Sequence, residues 1–407
     1  MGRGRLLVVC FVAVGLAPVP VGQATGPPLC DGKAATIVGS EGVDHIAGTP
    51  GADVIVGLGG RDRIDGAGGD DRVCGGGDAD VLRGGAGDDR LFGQANRIRS
   101  DRGGTWSFGD VLDGGVGDDL LDLGPATSSH ISLHGERVEF LTAPGPVVVD
   151  LAAGTATGQG VDVIRYVRNM SLRTGEGDDT ILGTQWGEKV IAGPGHDTVT
   201  LLGGPDGFHE GRTALPDDDV VDTGGGTDDV RAVSGADQIS TGAAHDDVVL
   251  AGRGPFEVRT GTASDWVFAR AADRSGASYA LGPGSQDYLS LELGVLRGSA
   301  TPLPITVDVP AGLYVVTSPA GPVEAAMSGV ERFVFADGWA VDFLGGDGAE
   351  SLETPGSAPL RAVMGGGDDR VWGTRGDDFI DGGDGIDVAN AGAGDDTCVQ
   401  VEERSSC

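Results

Sequence analysis

The chain has 407 residues, of which 76 are glycine and only 5 % are aromatic. This composition excludes a globular core of large side chains and is typical of a repetitive fold whose short units each bury one small apolar residue. The 62 acidic residues outnumber the 28 basic ones and give a formal charge of −34. Nucleic acid is excluded as a partner, because phosphates are bound by Lys and Arg.

Residues 1–24 have the layout of a secretory signal peptide. Arg3 and Arg5 precede an apolar run from Leu6 to Ala17, and a small-x-small cleavage site ends at Ala24. A membrane anchor is the alternative, but the run is shorter than the roughly 20 residues that a span requires. No other apolar stretch is long enough to cross a bilayer. The sequence therefore predicts a secreted, extracellular protein without a membrane span.

The cysteines predict disulfides. Cys10 would leave with the signal peptide, and four remain, at Cys30, Cys74, Cys398 and Cys407. An even number in an exported chain indicates bridges, and three pairings are possible. Proximity in the sequence favours Cys30 with Cys74, near an N-terminal cap at residues 25–38, and Cys398 with Cys407. A zinc site is less favoured, because no CxxC pair exists and the six histidines are scattered.

A nine-residue repeat fills residues 39–124. Position 1 is Gly, position 4 is Gly except at Asp78, position 6 is Asp and position 8 is aliphatic in six consecutive units. An insertion at 94–108 interrupts the phase, which resumes at Asp110. The position-6 residues of this first block are Asp44, Asp53, Asp62, Asp71, Asp80, Asp89, Asp110 and Asp119.

Two further blocks carry the same phase, at residues 174–250 and 344–399. Glu188 replaces the Asp in one unit, and Ala389 makes position 8 weak in another. The position-6 residues of these blocks are Asp179, Asp197, Asp219, Asp228, Asp237, Asp246, Asp369, Asp378, Asp387 and Asp396. Residues 400–407 leave the repeat and are predicted to form a C-terminal cap, which an open solenoid end requires.

These units resemble the nonapeptide GGxGxDxUx of the RTX, or haemolysin-type, calcium-binding repeat family. The resemblance covers roughly half of the chain and implies an all-β fold, a parallel β-roll or β-solenoid with several bound Ca²⁺ ions. It places each ion between position-6 Asp residues two repeats apart, with loop carbonyls completing the shell. The carbonyls it implies are those of Gly57, Gly60, Gly66, Gly69, Gly75, Gly84, Gly87, Gly373, Gly376, Gly382 and Gly385.

Elementary geometry supports the resemblance. Residues two apart in a strand share a face, so positions 6 and 8 both point inward, and position 5 points outward. Glycine permits the tight loops between strands. Stacked carboxylates would repel unless a cation lay between them, and Ca²⁺ accepts six to eight oxygens where Mg²⁺ prefers tighter octahedra. Pairs in the second block, such as Asp179 with Asp197, are weaker candidates because their loops lack early glycines.

The segments 125–173 and 251–343 lose the repeat but keep β character. Val147–Leu151 and Ile305–Val309 look like copies of one unit, each followed by a Gly-containing turn and another apolar strand. We expect further solenoid coils without calcium here. Separate β-sandwich modules are the alternative, although each piece is short for an independent domain.

No catalytic motif is present. His209-Glu210 does not begin an HExxH motif, and GxSxG, P-loop and dinucleotide-binding fingerprints are absent. A calcium-dependent polysaccharide lyase or epimerase stays the alternative, because Arg63, Arg72 and Arg90 are predicted on an outer strand face. The simpler explanation is that these arginines offset Asp70 and Asp88.

The sequence thus predicts a secreted calcium-binding scaffold or adhesin, with a cell-surface or polysaccharide ligand as the further partner. RTX toxins resemble it in their repeats but use a C-terminal secretion signal, so a toxin is not expected. The Lys-poor, Arg- and Ala-rich composition resembles that of exported actinobacterial proteins.

Overall fold

The computed structural model describes residues 26–94, 99–101, 104–106, 109–124, 135–211, 217–270, 276–284, 286–292, 303–318, 321–336 and 339–407. The predicted signal peptide lies outside these ranges, and every regular element within them is a strand. In chain order the strands are β1 (Leu29–Cys30), β2 (Lys33–Ala34), β3 (Ile37–Val38), β4 (His45–Ala47), β5 (Val54–Gly59), β6 (Arg63–Asp65), β7 (Arg72–Gly77), β8 (Val81–Ala86), β9 (Arg90–Phe92), β10 (Arg99–Asp101), β11 (Gly104–Trp106), β12 (Val111–Val116), β13 (Leu120–Asp122), β14 (Arg137–Phe140), β15 (Val148–Asp150), β16 (Thr155–Thr157), β17 (Val161–Arg165), β18 (Ser171–Thr174), β19 (Thr180–Leu182), β20 (Lys189–Ala192), β21 (Thr198–Thr200), β22 (Gly207–Glu210), β23 (Val220–Asp222), β24 (Asp229–Ser234), β25 (Gln238–Ser240), β26 (Asp247–Arg253), β27 (Glu257–Arg259), β28 (Trp266–Arg270), β29 (Ala277–Ala280), β30 (Tyr288–Glu292), β31 (Leu303–Asp308), β32 (Leu313–Ser318), β33 (Gly321–Ser328), β34 (Arg332–Phe335), β35 (Trp339–Leu344), β36 (Ser351–Glu353), β37 (Leu360–Val363), β38 (Arg370–Trp372), β39 (Phe379–Asp381), β40 (Val388–Asn390), β41 (Thr397–Val399) and β42 (Glu403–Ser405).

The strands form two long, mainly parallel sheets, because successive repeats contribute to opposite sides of each coil. Sheet 1 begins β3-β5-β7-β9-β13 and ends β35-β37-β39-β41. Sheet 2 begins β4-β6-β8-β12-β14 and ends β36-β38-β40-β42. This confirms the predicted parallel β-roll.

The core lies between the two sheets and is built from position 8 of the repeat. Ile55, Val73 and Leu91 are fully buried on sheet 1, and Ile64 and Leu82 are no more than 2 % exposed on sheet 2. A strand of alternating pattern can bury only one face, so each nine-residue repeat contributes one small apolar side chain, and each coil of two repeats contributes two. This explains how a chain with few aromatic residues closes a continuous core.

The segments between the repeat blocks contribute strands to the same two sheets. They are not plain coils, however. β15, β16 and β17 form an antiparallel meander inserted in sheet 1, with β17 beside β13 and β15 beside β19. β31, β32 and β33 repeat this arrangement between β29 and β35. The two copies noticed in the sequence are therefore equivalent strands, β15 and β31.

Disulfides join Cys30 to Cys74 and Cys398 to Cys407, each with Cα atoms 5.7 Å apart. The first bridge ties the N-terminal hairpin, β1 and β2, to β7. The C-terminal segment, residues 400–407, was predicted to leave the repeat and form a cap. Its strand β42 pairs in parallel with β40 and extends sheet 2 by one more strand.

The outer arginines have a different partner from the predicted one. Arg72 and Arg90 are register neighbours on sheet 1, and both point to the carboxylate of Asp31, at 3.6 and 2.9 Å. The prediction that they offset Asp70 and Asp88 is therefore wrong. Asp31 belongs to the N-terminal hairpin, so this stack fastens the cap to the repeat.

Candidate metal centre

Two files of acidic side chains run along the solenoid, one at the edge where each sheet's strands begin. Each acid is at position 6 of its unit and immediately precedes a strand, except Asp162, which is the second residue of β17. Along sheet 1 the file comprises Asp53, Asp71, Asp89, Asp119, Asp162, Asp179, Asp197, Asp219, Asp237, Asp378 and Asp396. Along sheet 2 it comprises Asp44, Asp62, Asp80, Asp110, Glu136, Glu188, Asp206, Asp228, Asp246, Asp265, Asp287, Glu331, Glu350, Asp369, Asp387 and Glu402.

One carboxylate oxygen of most of these acids accepts a backbone hydrogen bond from the preceding coil. The backbone N–H of Asp53 donates to Oδ1 of Asp71 at 2.7 Å, and the N–H of Asp71 donates to Oδ1 of Asp89 at 2.8 Å. The same bond joins Asp80 to Asp110, which are 30 residues apart. Coil position therefore sets the spacing of the file, and insertions of different length do not interrupt it.

The second oxygen is the distinctive atom of the file. Asp71, Asp80 and Asp89 are only 1 % exposed, yet Oδ2 of each has no hydrogen-bond partner. A buried, unpaired carboxylate oxygen is costly. The file acids with such an unpaired oxygen are Asp62, Asp71, Asp80, Asp89, Asp119, Asp179, Asp197, Asp206, Asp219, Asp237, Asp246, Asp265, Glu350, Asp369, Asp387 and Asp396.

A glycine at position 1 makes room for this oxygen. A Cβ on Gly66 would collide with Oδ2 of Asp71 and would lie 2.6 Å from the carbonyl oxygen of Gly84, one coil further on. The space that the missing side chain leaves is thus lined by a carboxylate oxygen and a backbone carbonyl. We call this space the glycine cradle. The same two groups adjoin Gly57, Gly84 and Gly382, and also Gly39, Gly48 and Gly373, while at Gly75 and Gly114 the nearest group is the carboxylate of the acid that follows.

The chain matches the family model of the RTX calcium-binding nonapeptide repeat at residues 38–73, 75–97, 107–125, 213–239 and 365–398. The chain carries RTX calcium-binding repeats. No curated protein matches it. In the part of the chain that the structure describes, no helix is long and apolar enough to cross a membrane.

The donor atoms of the RTX loops fit calcium. Within the described ranges, no three His, Cys, Asp or Glu side chains converge on one point, because each coil brings one acid to each edge. The remaining ligands would have to be carbonyl oxygens such as that of Gly84. An all-oxygen set of carboxylates and carbonyls is the set that Ca²⁺ prefers, and it lacks the nitrogen and sulfur ligands typical of zinc.

Some RTX loops satisfy the acid from within the protein. Thr49, at position 2, donates its N–H and its hydroxyl to Oδ2 of Asp53, at 2.7 and 2.8 Å. Ser40 does the same for Asp44. We call these the hydroxyl loops; their position-2 residues are Ser40, Thr49, Thr184 and Thr374. In the loops of Asp53, Glu188 and Asp378, both oxygens of the acid have partners in the protein.

The glycine-cradle loops without a hydroxyl have a different backbone at position 2. Leu58 and Ala67 adopt φ values of +79° and +75°, and Gly76 and Gly85 adopt +112°. This left-handed region is unfavourable for residues with a Cβ. It turns the position-2 N–H away from the acid, so that the carboxylate oxygen stays without a donor. Strain of this kind is often concentrated at binding sites.

In the second block, side chains fill the cradle. Thr223 occupies position 1 and donates to Oδ2 of Asp228 at 2.6 Å. In the segment that follows the second block, Thr260, also at position 1, donates to the carbonyl oxygen of Leu281 one coil further on, at 2.9 Å. Ala192 and Leu201 occupy the same position ahead of their acids. Most acids of the second block therefore have an unpaired oxygen but lack the space that a position-1 glycine would leave.

Burial raises the pKa of the file acids. Desolvation is the largest cause and raises the pKa of Asp80 and Asp89 to about 7, with acids of the neighbouring coils adding to the effect. The pKa values of Asp197, Asp206 and Asp237 rise to about 8 for the same reasons. Without a cation these groups resist ionisation. A bound cation would stabilise their ionised form.

The acids at position 5 form a second, exposed ladder. Oδ1 of Asp70 accepts from the N–H of Asp88 at 3.1 Å, and Oδ1 of Asp88 accepts from the N–H of Asp118 at 3.0 Å. These bonds reach the following coil, whereas those of position 6 reach the preceding coil. Asp70 is exposed, as predicted, but it is not without a structural role.

The structure brings together the predicted Asp pairs in all three blocks. N–H to Oδ1 bonds join Asp44 to Asp62, Asp369 to Asp387 and Asp378 to Asp396, and the weaker pairs of the second block are joined in the same way. Among the predicted loop carbonyls, those at position 1 line the cradles. The position-4 glycines lie against the preceding coil, as Gly87 does against Gly69.

Sequence reasoning missed several members of the files: Glu136, Asp162, Asp206, Asp265, Asp287, Glu331, Glu350 and Glu402. Most show an acid two residues before an apolar residue, as in Asp265 with Val267 and Glu331 with Phe333. That shorter pattern, without the glycine requirement, could have found them. The files are broken where an apolar residue takes the acid's place, as Val147, Met170 and Leu360 do.

The pair His209-Glu210 has structural partners. Nε2 of His209 lies 3.7 Å from a carboxylate oxygen of Asp229, and Glu210 accepts a hydrogen bond from the N–H of Ser234 at 3.0 Å. These contacts hold neighbouring strands of sheet 2 together. They agree with the absence of an HExxH motif at this point in the sequence.

Proposed function

We propose that the protein is a secreted extracellular scaffold or adhesin whose RTX loops bind several Ca²⁺ ions that stabilise the solenoid. The carrying observation is the row of buried carboxylate oxygens without partners beside the glycine cradles. A cation between coils would pair these oxygens and relieve the repulsion within the file. The net charge of −34 adds to the demand for cations.

The glycine cradles indicate which loops should bind calcium first. We expect the first ions at Asp62, Asp71, Asp80, Asp89 and Asp119, where a position-1 glycine adjoins an unpaired oxygen. Asp387 is the corresponding site of the third block. The hydroxyl loops at Asp44, Asp53 and Asp378 would depend least on calcium, because Ser or Thr already supplies the missing donors. The second block would bind more weakly, since side chains fill its cradles.

Extracellular placement is supported by the layout of residues 1–24 and by the two disulfides, which persist in oxidising compartments. Calcium is abundant there, and extracellular modules bind it in the range of about 10⁻⁴–10⁻³ M. A scaffold role agrees with a continuous two-sheet core. The stiffness of this scaffold would then depend on bound calcium.

Calcium titration of the purified, calcium-depleted protein tests the proposal. Isothermal titration calorimetry should count several ions, and circular dichroism should show the β signal increasing as they bind, because ions that bind only the folded state stabilise it. A chain that binds no calcium at millimolar concentration would overturn the proposal, as would one whose melting temperature is the same with calcium and without it.

A further inference from the structure

An aromatic patch lies on the outer face of sheet 2. We give this name to Trp266, Phe268, Tyr288 and the neighbouring ring of His245. The ring centroid of Trp266 lies 6.2 Å from that of Phe268, 5.6 Å from that of Tyr288 and 5.4 Å from that of His245. The centroids of Phe268 and Tyr288 are also 5.6 Å apart. The rings thus form one contiguous cluster over β28 and β30.

The patch is not part of the core. Val267 and Leu289, which alternate with the patch residues along the same strands, are buried between the sheets. Trp266 points the other way and is 43 % exposed. In a chain with only 5 % aromatic residues, a cluster of three large rings outside the core has no packing purpose that the solenoid requires. Exposed apolar clusters of this kind mark interaction sites.

Charged hydrogen-bonding groups border the patch. The guanidinium of Arg332 lies 5.2 Å from the ring centre of Tyr288, and it also pairs with Glu353 at 3.2 Å. Across the cluster, Nε2 of His245 lies 3.9 Å from the carboxylate of Asp247. The patch therefore presents apolar ring surface beside both donors and acceptors, with charges of both signs.

We propose that the aromatic patch binds a neutral polysaccharide. Sugar rings combine an apolar C–H face, which packs on an aromatic ring, with hydroxyls that pair with carboxylates, guanidinium and imidazole. The overall charge of −34 repels anionic polymers. A protein partner or a second copy is disfavoured by size, since a stable interface needs about 800 Å² per partner and three aromatic residues together bury at most about 450–750 Å².

The arrangement also suggests how the chain of sugars lies. Trp266 and Tyr288 are directly opposite each other on neighbouring parallel strands, and Arg332 is opposite Tyr288 on the next strand. Neighbouring strands are about 4.8 Å apart. A linear polysaccharide running across the strands, along the solenoid axis, would meet the tryptophan, the tyrosine and the arginine in succession. The proposal rests on these contacts and not on which calcium loops are filled.

Affinity electrophoresis of the full-length protein in calcium tests the proposal. Gels would contain xyloglucan, galactomannan, laminarin or dextran as neutral probes, and alginate or polygalacturonate as acidic ones. We expect at least one neutral polysaccharide to retard the wild-type protein. Trp266→Ala should weaken that binding about tenfold or more, as removal of an aromatic anchor does. Trp372→Ala is the matched control, because Trp372 is similarly exposed, at 40 %, and lies four strands away on the same sheet.

Two results would overturn the proposal: no retardation by any neutral probe, or equal retardation of the wild-type protein and Trp266→Ala. Retardation by the acidic probes alone would also overturn it, because it would assign a different ligand. Thermal melts in calcium establish that both variants are folded. Calcium binding is measured separately, so a protein that binds Ca²⁺ but no polysaccharide contradicts only this inference.

Discussion

The backbone N–H of Asp53 donates to Oδ1 of Asp71 across one coil, at 2.7 Å, while Oδ2 of Asp71 is buried without a partner. The two oxygens of one carboxylate thus have different roles. Oδ1 fixes the register between coils, and Oδ2 is free to bind a cation. Asn at this position would keep the acceptor oxygen and remove the charge, so the variant separates the hydrogen bond from cation binding.

Asp71→Asn should therefore have effects of opposite sign with calcium and without it. Without calcium the variant should be more stable than the wild type, because it no longer buries a charge that its neighbours repel. With calcium it should be less stable, because a ligand of the ion is lost. Thermal melts in both conditions and calorimetric ion counts measure the effect.

Asp70→Asn is the matched control for that experiment, since it removes the same charge one residue earlier. Asp70 is exposed and accepts one hydrogen bond, from the N–H of Asp88. Asp70→Asn should therefore lower the free energy of unfolding by no more than about 1 kcal/mol and leave the number of bound ions unchanged. Equal behaviour of the two variants in calcium would show that position 6 is not the ligand position.

Gly66→Ala tests the glycine cradle. The added Cβ would collide with Oδ2 of Asp71 and with the carbonyl of Gly84, so we expect fewer bound ions and a loss of more than about 1 kcal/mol of stability in calcium. Gly68→Ala in the same loop meets only Ala86, at 3.5 Å. That control should be neutral or stabilise by about 0.4–1 kcal/mol. If both substitutions are tolerated alike, the cradle does not hold an ion.

Much of this fold could be predicted from the sequence, because the repeat fixes both inward positions. The Asp at position 6 and the aliphatic residue at position 8 are enough to place a side chain such as Ile55 in the core. The antiparallel meanders could not be predicted, since the pairing of β17 with β13 is a contact across 43 residues of chain without a local signal. The role of Asp31 was missed for the same reason: its partners, Arg72 and Arg90, are distant in sequence.

The site could be predicted in outline and not in detail. The position-6 acids were found from the glycines around them, so members without glycines, such as Asp265 and Glu350, were missed. The distinction between loops was also missed. It depends on whether position 2 carries a hydroxyl, as Thr49 does, or adopts a left-handed φ, as Leu58 does. The repeat was defined by positions 1, 4, 6 and 8, so position 2 was not used.

Thr374→Val tests whether the hydroxyl loops are independent of calcium. The hydroxyl of Thr374 donates to Oδ1 of Asp378 at 2.8 Å in a buried setting, and Val keeps the shape without the donor. We expect a loss of about 1–2 kcal/mol, equal with calcium and without it, and an unchanged ion count. Thr397→Val, on an exposed strand position, should have little effect. A loss confined to calcium-containing buffer would mean that this loop holds an ion.

The pH dependence of the calcium-free protein follows from the buried acids. The pKa of Asp80 and Asp89 is raised to about 7 in the folded state, chiefly by burial, against about 3.9 in an unfolded chain. Folding therefore favours the protonated acids. The stability that they contribute is complete below pH of about 4 and is lost as the pH rises towards 7.

Acidification from pH 8 to pH 5 should thus raise the melting temperature of the calcium-free protein. Calcium requires the ionised acids, so its stabilising effect should shrink over the same interval as protons compete for the oxygens. Asp80→Asn should flatten the calcium-free profile more than Asp70→Asn, because only the first removes a buried acid. Melts in calcium-stripped buffers at each pH measure this. A melting temperature that falls on acidification would contradict the assignment of the raised pKa values to the file.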